Sequence, residues 1–417
     1  MTRNSGATVA AGFFVSLVLL VGIWSLLPRS SREQTIASLR PQAVSRAVPP
    51  IITPQTATPT KTPTPTQTPT PTSTPSPTPS PTVTPIPTDA PAAGEFGASL
   101  DRYLNNLVEA KLFHGAVLVA RNGSVVLSKG YGPADIDKGL ANSANTRMRI
   151  ASMTKQFTSM AVMQLVAQGK LAVDDPVCQY VDDCPERWGD ITIRMLLNHT
   201  HGLPNYTDFP SYERTQMEQT SVAELLDRLR GQWPVWTPGQ TYNYGNSGYV
   251  LLGAIIEKVS GQSYGDFLHE HIFTPLGMNN SGVTYAPTPG ENWALPYQSF
   301  SRLAAPLDTS TLFAAGAVYS TVEDLYRWDQ ALYTDQILPN TLRTEMFTPG
   351  LGRYGFGWKI VNDDGHLRTS HPGKMDGCRS IILRYPEDRV TVIVIANMHD
   401  ADADGIAAYI ARIVLNS

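Results

Sequence analysis

The chain has 417 residues, a net charge of −4 from 32 Lys and Arg against 36 Asp and Glu, and three cysteines. This charge provides no basic field for nucleic acid, so no nucleic-acid partner is expected. Three cysteines without a C-x-x-C pair exclude a disulfide scaffold and give no sign of structural zinc. We expect neither a metal nor another cofactor.

The first feature along the chain is an uncharged apolar segment at residues 7–27. Its 21 residues are long enough to cross a hydrocarbon core of about 30 Å as a helix. The segment ends in LLPRSSR rather than in a small-residue cleavage site. We therefore predict that residues 1–28 are an uncleaved transmembrane anchor, with a cleaved signal peptide as the alternative. The arginines flanking the segment favour a cytoplasmic position for the part of the chain on its C-terminal side.

The next segment is dominated by threonine and proline. Residues 49–91 contain 15 Pro, 15 Thr and 3 Ser, with only two charged residues. They offer no apolar set for a core, and proline removes backbone donors, so residues 29–95 are predicted to be a disordered linker. Such stalks are typical of surface-exposed proteins. This outweighs the arginine count, and we predict a single-pass cell-membrane protein whose C-terminal part is extracytoplasmic.

Residues 96–417 have ordinary globular composition and begin with a hairpin and a helix. Apolar residues on both sides of Asn122-Gly123 predict a β-hairpin, because this dipeptide suits a tight turn. Apolar residues at helical spacing over 155–171 predict a mostly buried helix, with Ser/Thr candidates for its N-cap and Gly169 as its C-cap.

The C-terminal end again mixes strands and helix. Strands are predicted over 380–383 and 390–396, followed by a helix over 406–415. A further amphipathic helix is predicted over 250–259. The sequence therefore predicts an α+β fold, in which both ends of the domain form an antiparallel sheet flanked by helices and a mostly helical subdomain lies between them.

The sharpest candidate for chemistry is Ser152-Met153-Thr154-Lys155, at the start of the buried helix. A lysine three residues after a serine returns to the same helix face, where its amine can reach the serine hydroxyl. If apolar neighbours lower its pKa, the amine can accept the serine proton. The alternative is a helix cap followed by a solvated lysine.

Two further candidates lie later in the chain. Tyr244 and Asn246 lie in a glycine-containing loop, where a tyrosine can carry a proton and an asparagine can bind a substrate amide. The alternative is an ordinary polar loop. His371 and Gly373 lead into the first C-terminal strand, where a glycine allows close approach of an extended substrate. A lone histidine is more often structural.

The order of these three motifs resembles the serine β-lactamase and penicillin-binding protein superfamily. It is most similar to the branch of class C β-lactamases, D-alanyl-D-alanine carboxypeptidases, D-aminopeptidases and related esterases. The resemblance covers essentially all of 96–417 and is carried also by RIASMTKQFT, LAVDDPV, LLNHTHGLP, TPLGM, AAGAVYSTVEDLYRW and YGFGW.

The resemblance implies a role for each candidate. Ser152 would be the acylated nucleophile, Lys155 its activating partner, and Tyr244 a general base that passes a proton to the leaving group. Asn246 would bind the substrate amide. The backbone N–H groups of Ser152 and Lys374 would form the oxyanion hole, and no metal is needed.

Two departures from the family pattern affect the expected substrate. His371 stands where many members carry a lysine that binds a carboxylate, and neutral imidazole is a poorer anion partner. Pro372 lacks both a hydroxyl and an N–H, whereas Lys374 could restore a positive charge. We therefore expect a serine hydrolase that acts on peptides, amides or esters containing D-amino acids, with peptidoglycan as a possible partner. A class C-like β-lactamase and a catalytically silent cell-wall binding or sensor module are the alternatives.

Two smaller questions remain open from the sequence. Cys178 and Cys184 lie six residues apart, so they form either a small loop disulfide or two free thiols. Cys378 has no evident partner. His199 and His201 could suggest zinc, but no third ligand cluster supports it, and His199 matches a family loop position.

Overall fold

The computed structural model describes residues 94–285 and 292–417. The predicted anchor and Thr/Pro stalk lie outside these residues. Within them, no helix combines the length and apolar character needed to cross a membrane.

The strands of the described residues form one large antiparallel sheet and three small ones. The strands of the large sheet are β1 (Gly115–Arg121), β2 (Ser124–Tyr131), β10 (Lys359–Asp363), β11 (His366–Met375), β12 (Cys378–Tyr385) and β13 (Val390–Ala396). Their order in the sheet is β10-β11-β12-β13-β1-β2. The small sheets contain β3 (Pro133–Asp135), β4 (Leu140–Ala141), β5 (Met148–Arg149), β6 (Gly282–Val283), β7 (Tyr297–Ser299), β8 (Arg302–Leu303) and β9 (Val318–Ser320).

The predicted joining of the two chain ends is confirmed in the large sheet. β1 pairs with β13, with Gly115 opposite Ala396 and Arg121 opposite Val390. The predicted hairpin is also confirmed: Asn122 and Gly123 both have positive φ, 53° and 74°, as a tight turn between right-twisted strands requires.

Alternating side chains divide the core between the two faces of this sheet. One face contributes Leu118 and Ile393 to a cluster that also contains Phe157 of the predicted buried helix. The opposite face contributes Val119 and Val392 to a second cluster. Because successive strand residues point to opposite faces, both faces must be covered by helices.

The helices supply that cover and fill the middle of the chain. They are α1 (Gly94–Glu109), α2 (Thr154–Ala167), α3 (Ile193–Leu197), α4 (Pro210–Thr215), α5 (Val222–Arg230), α6 (Ser247–Ser260), α7 (Tyr264–Leu268), α8 (Val322–Ala331), α9 (Asn340–Met346) and α10 (Ala403–Leu415). The α1 and α10 helices belong to the second cluster, whereas α2, α6 and α8 belong to the first. Together with the sheet they make a mixed α+β fold, as predicted.

Two local predictions need correction. Neither serine nor threonine caps α2: its N-cap is Met153, which comes after a short 3₁₀ turn, and the Thr154 hydroxyl accepts a hydrogen bond from Val318 N–H instead. The His371-Pro372-Gly373 motif does not lead into the strand predicted at 380–383. It lies inside a separate strand, β11, which a two-residue turn connects to β12.

The cysteine question is answered by the structure. Cys178 and Cys184 form a disulfide, so the alternative of two free thiols is excluded for this pair. Cys378 is free and buried, and its thiol contacts the carbonyl of Arg149, 2.8 Å away.

Candidate active site

Ser152 lies at the end of a backbone segment held tightly against the large sheet. The Ser380 hydroxyl on β12 donates to the Ile150 carbonyl at 2.7 Å. A Cβ atom on Gly373 would lie 2.2 Å from the same carbonyl, so only glycine allows β11 to approach this closely. Ala151 has φ +48°, an unfavourable conformation for a residue with a side chain. The sheet therefore fixes the backbone that presents Ser152.

Lys155 lies one turn further on, fully buried. Its Nζ donates to the Ser152 Oγ at 3.2 Å, to the Asn246 Oδ1 at 2.9 Å and to the Ala315 carbonyl at 3.0 Å. All three acceptors are neutral. In the part of the chain that the structure describes, no carboxylate pairs with this amine, and burial disfavours its charged form and lowers the pKa of Lys155 to about 7. The amine can therefore accept a proton from Ser152 near neutral pH.

Tyr244 also contacts Ser152. Its hydroxyl forms a hydrogen bond with Ser152, and its ring centroid lies 5.0 Å from the Lys155 Nζ. Although 39% of the residue is exposed to the cleft, the surrounding protein raises the pKa of Tyr244 above its ordinary value. The hydroxyl is therefore protonated near neutral pH.

His199, from the HTHGLP stretch, holds the loop that carries Tyr244. The His199 carbonyl accepts from Asn243 N–H at 2.9 Å, and its Nδ1 accepts from Gly245 N–H at 3.5 Å. The His199 and Tyr244 ring centroids are 4.5 Å apart. Desolvation lowers the pKa of His199 well below its ordinary value, so this residue supports the loop as a neutral ring.

Hydrogen bonds to two residues of another loop hold Asn246 in place. Its backbone N–H donates to the Asn205 Oδ1 at 2.9 Å, and its Nδ2 donates to the Thr207 Oγ1 at 3.2 Å. Since its Oδ1 accepts from Lys155, the side-chain amide has a fixed orientation. The loop residues Asn205 and Thr207 thus connect Asn246 to the rim of the cleft.

His371 lies in the wall of the site with both ring nitrogens engaged. Its Nδ1 lies 2.7 Å from the Pro372 carbonyl, which can only accept, so Nδ1 carries the proton. Its Nε2 therefore accepts from the Tyr354 hydroxyl at 2.8 Å. Burial, with a contribution from Lys155, lowers the pKa of His371 to about 3. The ring is neutral, and it provides shape rather than charge to a substrate.

The backbone around Lys374 forms an open edge. β10 ends at Lys359, opposite Ser370, and within the described residues no strand pairs with 371–375 on that side. Asp364 and Gly365, with φ 52° and 96°, make a two-residue turn whose flanking residues exchange hydrogen bonds. Alternation along β11 then directs the N–H of Lys374 toward the open edge. This N–H is free to bind a substrate oxygen.

These groups line one cleft of about 700 Å³. Of the residues selected from the sequence, the lining includes Ser152, Tyr244, Asn246, His371 and Lys374. Lys155 and Gly373 are buried and do not belong to the lining. Pro372, which departs from the family pattern, also lines the cleft. Sequence reasoning missed the other lining residues, namely Thr207, Asp208, Tyr242, Tyr354, Lys359, Met375, Asp376 and His399. Apart from Tyr354, which lies in YGFGW, these positions lie outside the motifs that carry the family resemblance. Nothing in the sequence therefore singled them out.

Known proteins share this arrangement over most of the chain. The sequence model of the Beta-lactamase family matches residues 100–415. Penicillin-binding protein 4* of Bacillus subtilis (strain 168) is 31% identical over 327 residues, which cover 72% of each chain. Protein flp of Staphylococcus aureus (strain MW2) is 28% identical over 72% of this chain, but the match spans only 63% of that protein.

Solved structures give the same assignment. A penicillin-binding protein from Bacillus halodurans superposes with a TM-score of 0.68 at 27% identity, covering 75% of this chain and 99% of the other. A D-stereospecific amidohydrolase from Streptomyces sp. gives a TM-score of 0.63 at 26% identity, covering 75% and 97%. The fold, the placement of Ser152 and Lys155, and the family match over 100–415 lead to one conclusion: the chain belongs to the Beta-lactamase family and is a serine acyl-transfer hydrolase.

Proposed function

We propose that this protein hydrolyses peptides, amides or esters of D-amino acids through a covalent acyl-enzyme on Ser152. The observation that carries the proposal is the buried Lys155, whose amine contacts Ser152 and has only neutral partners. A buried lysine with a lowered pKa next to a serine hydroxyl is an activated nucleophile pair.

In the proposed acylation step, Ser152 Oγ forms a bond to the substrate carbonyl carbon while its proton passes to the neutral Lys155 amine. The C–N or C–O bond to the leaving group then breaks, and Tyr244 donates a proton to the departing atom. Tyr244 then recovers a proton from the Lys155 ammonium, since both groups contact Ser152. The raised pKa of Tyr244 favours Lys155, rather than a tyrosinate, as the first proton acceptor.

The negative charge that develops on the carbonyl oxygen needs donors. We assign these to the N–H groups of Ser152 and Lys374, because the register of β11 directs the latter toward the open edge beside Ser152. An oxyanion donor of this kind contributes about 10²–10³ in rate. Asn246, fixed by Lys155 and Thr207, would hold the amide of the acyl part.

The proposed substrate class rests on the acyl-transfer chemistry that the site allows and on the relatives of this chain. The penicillin-binding protein and the D-stereospecific amidohydrolase are both similar to this chain.

We also propose that residues 1–28 anchor the protein in the cell membrane and that the catalytic domain is extracytoplasmic, within reach of peptidoglycan. The uncharged segment at 7–27 and the Thr/Pro composition of 49–91 support this location.

The function is tested by following intact-protein mass during incubation with N-acetyl-D-alanyl-D-alanine, D-alanine methyl ester and benzylpenicillin in parallel. We expect hydrolysis of a D-configured substrate. We expect Ser152→Ala to lose this activity by about 10⁴-fold or more while it retains its circular dichroism spectrum. A penicilloyl adduct present in the wild type and absent from Ser152→Ala would identify the acylated residue.

The other outcomes separate the alternatives. Rapid consumption of benzylpenicillin, with no turnover of the D-alanine compounds, would replace the proposal with a β-lactamase. Binding of these compounds without any turnover, unchanged in Ser152→Ala, would replace it with a binding or sensor module.

A further inference from the structure

Tyr354 contacts His371 from outside the strand that carries this histidine. Tyr354 precedes β10, is 3% exposed, and has its hydroxyl oxygen 2.8 Å from the His371 Nε2. Both residues line the active-site cleft, and the ring centroid of Tyr354 lies 6.2 Å from that of Tyr244. No step of the proposed acyl transfer uses the Tyr354 hydroxyl.

The direction of this hydrogen bond follows from the atoms around it. The Pro372 carbonyl, 2.7 Å from the His371 Nδ1, can only accept, so Nδ1 carries the ring proton and Nε2 has a lone pair. Burial raises the pKa of Tyr354 well above its ordinary value, so the phenol keeps its proton near neutral pH. Tyr354 therefore donates to His371, and His371 in turn donates to Pro372.

The loop that carries Tyr354 is packed against the helix that carries Lys155. Gly357 has φ +78°, and a Cβ atom there would lie 2.8 Å from both the Lys155 carbonyl and the Ser159 Oγ. Glycine permits this close contact, so the loop lies directly on α2. Tyr354 is thus held in place on the side away from the His371 ring.

The hydrogen bond to Pro372 pairs a carbonyl that the sheet leaves without a neighbouring strand. Backbone groups of alternate residues on β11 point to the same side, so the Pro372 carbonyl points to the open edge, as the Lys374 N–H does. β10 begins at Lys359, opposite Ser370, and in the described part of the chain no strand pairs with 372–374 on that side. The His371 ring takes the place of a strand at this carbonyl.

This carbonyl lies close in sequence to the proposed oxyanion hole. Only Gly373 separates Pro372 from Lys374, and glycine gives the backbone additional freedom. β12 pairs with this segment on one side, and the His371 ring holds it on the other. Loss of the hydrogen bond between His371 and Pro372 would therefore leave the direction of the Lys374 N–H less well defined. A displacement of about 1 Å at a catalytic group can cost about 10²-fold in rate.

We propose that Tyr354 is a positioning residue: its hydroxyl holds the His371 ring in the Nδ1–H tautomer, and the ring holds the backbone of β11 so that the Lys374 N–H points at the substrate oxygen. This inference rests on the proposed acyl-enzyme function and adds a residue to its machinery. Tyr354 acts through His371 and takes no part in proton transfer to the substrate.

The first test measures acylation of the full-length protein by D-alanine p-nitroanilide in single-turnover experiments, which separate binding from chemistry. Tyr354→Phe removes the donated hydrogen bond and keeps the ring. We expect its acylation rate constant to fall by about ten- to a hundredfold while Kd changes by less than about threefold, because the oxyanion forms only in the transition state.

Tyr264→Phe is the matched control. Tyr264 is also fully buried, and its hydroxyl lies 2.8 Å from the Thr158 Oγ1 on α2 instead of contacting His371. Its replacement removes the same atom from an equally buried site. The acylation rate constant of this variant should stay within about threefold of the wild type.

The second test observes the tautomer of His371, which a merely structural role of Tyr354 would not change. Nitrogen-15 spectra of the full-length protein, labelled at histidine only, distinguish a protonated from an unprotonated ring nitrogen. The signals that vanish in His371→Asn identify this residue. We expect the Nδ1–H tautomer in the wild type and in Tyr264→Phe, and a mixture of the two tautomers in Tyr354→Phe.

The inference requires both results. An Nε2–H tautomer in the wild type overturns it, and so does a Tyr354→Phe variant that keeps either the wild-type tautomer or the wild-type acylation rate constant. Equal losses in Tyr354→Phe and Tyr264→Phe also overturn it, because any buried phenol would then matter as much.

The inference and the proposed function fail in different ways. A wild type that is acylated by D-alanine p-nitroanilide, with Tyr354→Phe equally fast, keeps the acyl-enzyme function and overturns the inference. A wild type that hydrolyses neither this compound nor D-alanine methyl ester overturns both.

Discussion

The molecule buries two cations in opposite ways. Arg384 on β12 is 2% exposed and lies against the Asp329 carboxylate, to which its Nε donates. The Thr391 hydroxyl donates to the same carboxylate at 2.8 Å. Lys155 is equally buried, but its ammonium donates hydrogen bonds to a hydroxyl, an amide oxygen and a backbone carbonyl, all of them neutral. One cation is neutralised by a partner, and the other is not.

The difference separates a structural charge from a reactive one. A guanidinium is not deprotonated in proteins, so Arg384 needs its carboxylate for the fold to bury it. A buried amine without a carboxylate can instead lose its proton, and the pKa of Lys155 falls to about 7. The absence of an acidic partner among the described residues is what makes Lys155 a candidate base.

The largest effect is expected at Lys155. Lys155→Met removes the proton acceptor while it keeps a side chain of similar length, and we expect kcat/KM for D-amino-acid substrates to fall by about 10³–10⁴-fold. Steady-state kinetics on purified variants, with circular dichroism as the folding control, measure this loss.

Lys155→Arg sharpens the same point. Its guanidinium retains a positive charge but cannot act as a base, so it should be as inactive as Lys155→Met. Activity within tenfold of the wild type in Lys155→Arg would show that the charge, rather than proton transfer, is what catalysis uses.

The second effect is expected on stability at Arg384. Arg384→Met leaves the Asp329 carboxylate buried without its cation, and the free energy of unfolding should fall by about 3–5 kcal/mol. Urea denaturation measures the difference. The double variant Arg384→Met/Asp329→Leu should recover most of the loss, and a double variant no more stable than the single one would argue against an ion-pair cause.

The third effect is the pH dependence of activity. Protonated Lys155 cannot accept the Ser152 proton, and its protonated fraction rises as the pH falls below its pKa of about 7. We expect kcat/KM to be level above pH 7 and to fall about tenfold per pH unit well below it. His201 and His371 do not titrate in this window, because burial lowers the pKa of His201 to about 4 and that of His371 to about 3. A kcat/KM that stays constant from pH 5 to 7 would contradict the assignment.

Patterns within short stretches of sequence were sufficient to predict the turn, the helix and the strands that depend on neighbouring residues alone. The Asn122-Gly123 turn, the buried helix α2 and the strands β12 and β13 are all consequences of turn preference or apolar periodicity. The proximity of Ser152 and Lys155 is a consequence of helical geometry. Strands at both ends of the domain predicted a shared antiparallel sheet, but the specific pairing of β1 with β13 comes from the structure.

The remainder of the site depends on contacts between distant segments. Nothing local marks the Ala315 carbonyl as an acceptor for Lys155, 160 residues earlier, or Tyr354 as the donor to His371. The strand β11 was missed because His371, Pro372 and Gly373 have weak strand preference. Its pairing with β10 and β12 overrides that preference.

The uncovered edge of β11 has a consequence for the behaviour of the protein at high concentration. An open strand edge that can accept an extended substrate can also accept a strand from another copy of the chain, which leads to aggregation. Pro372 removes one backbone donor from this edge, and Lys374 places a charge on it. Both features are ones by which natural sheets resist edge-to-edge association. Pro372 and Lys374 thus favour binding of a short ligand over edge-to-edge association at this strand.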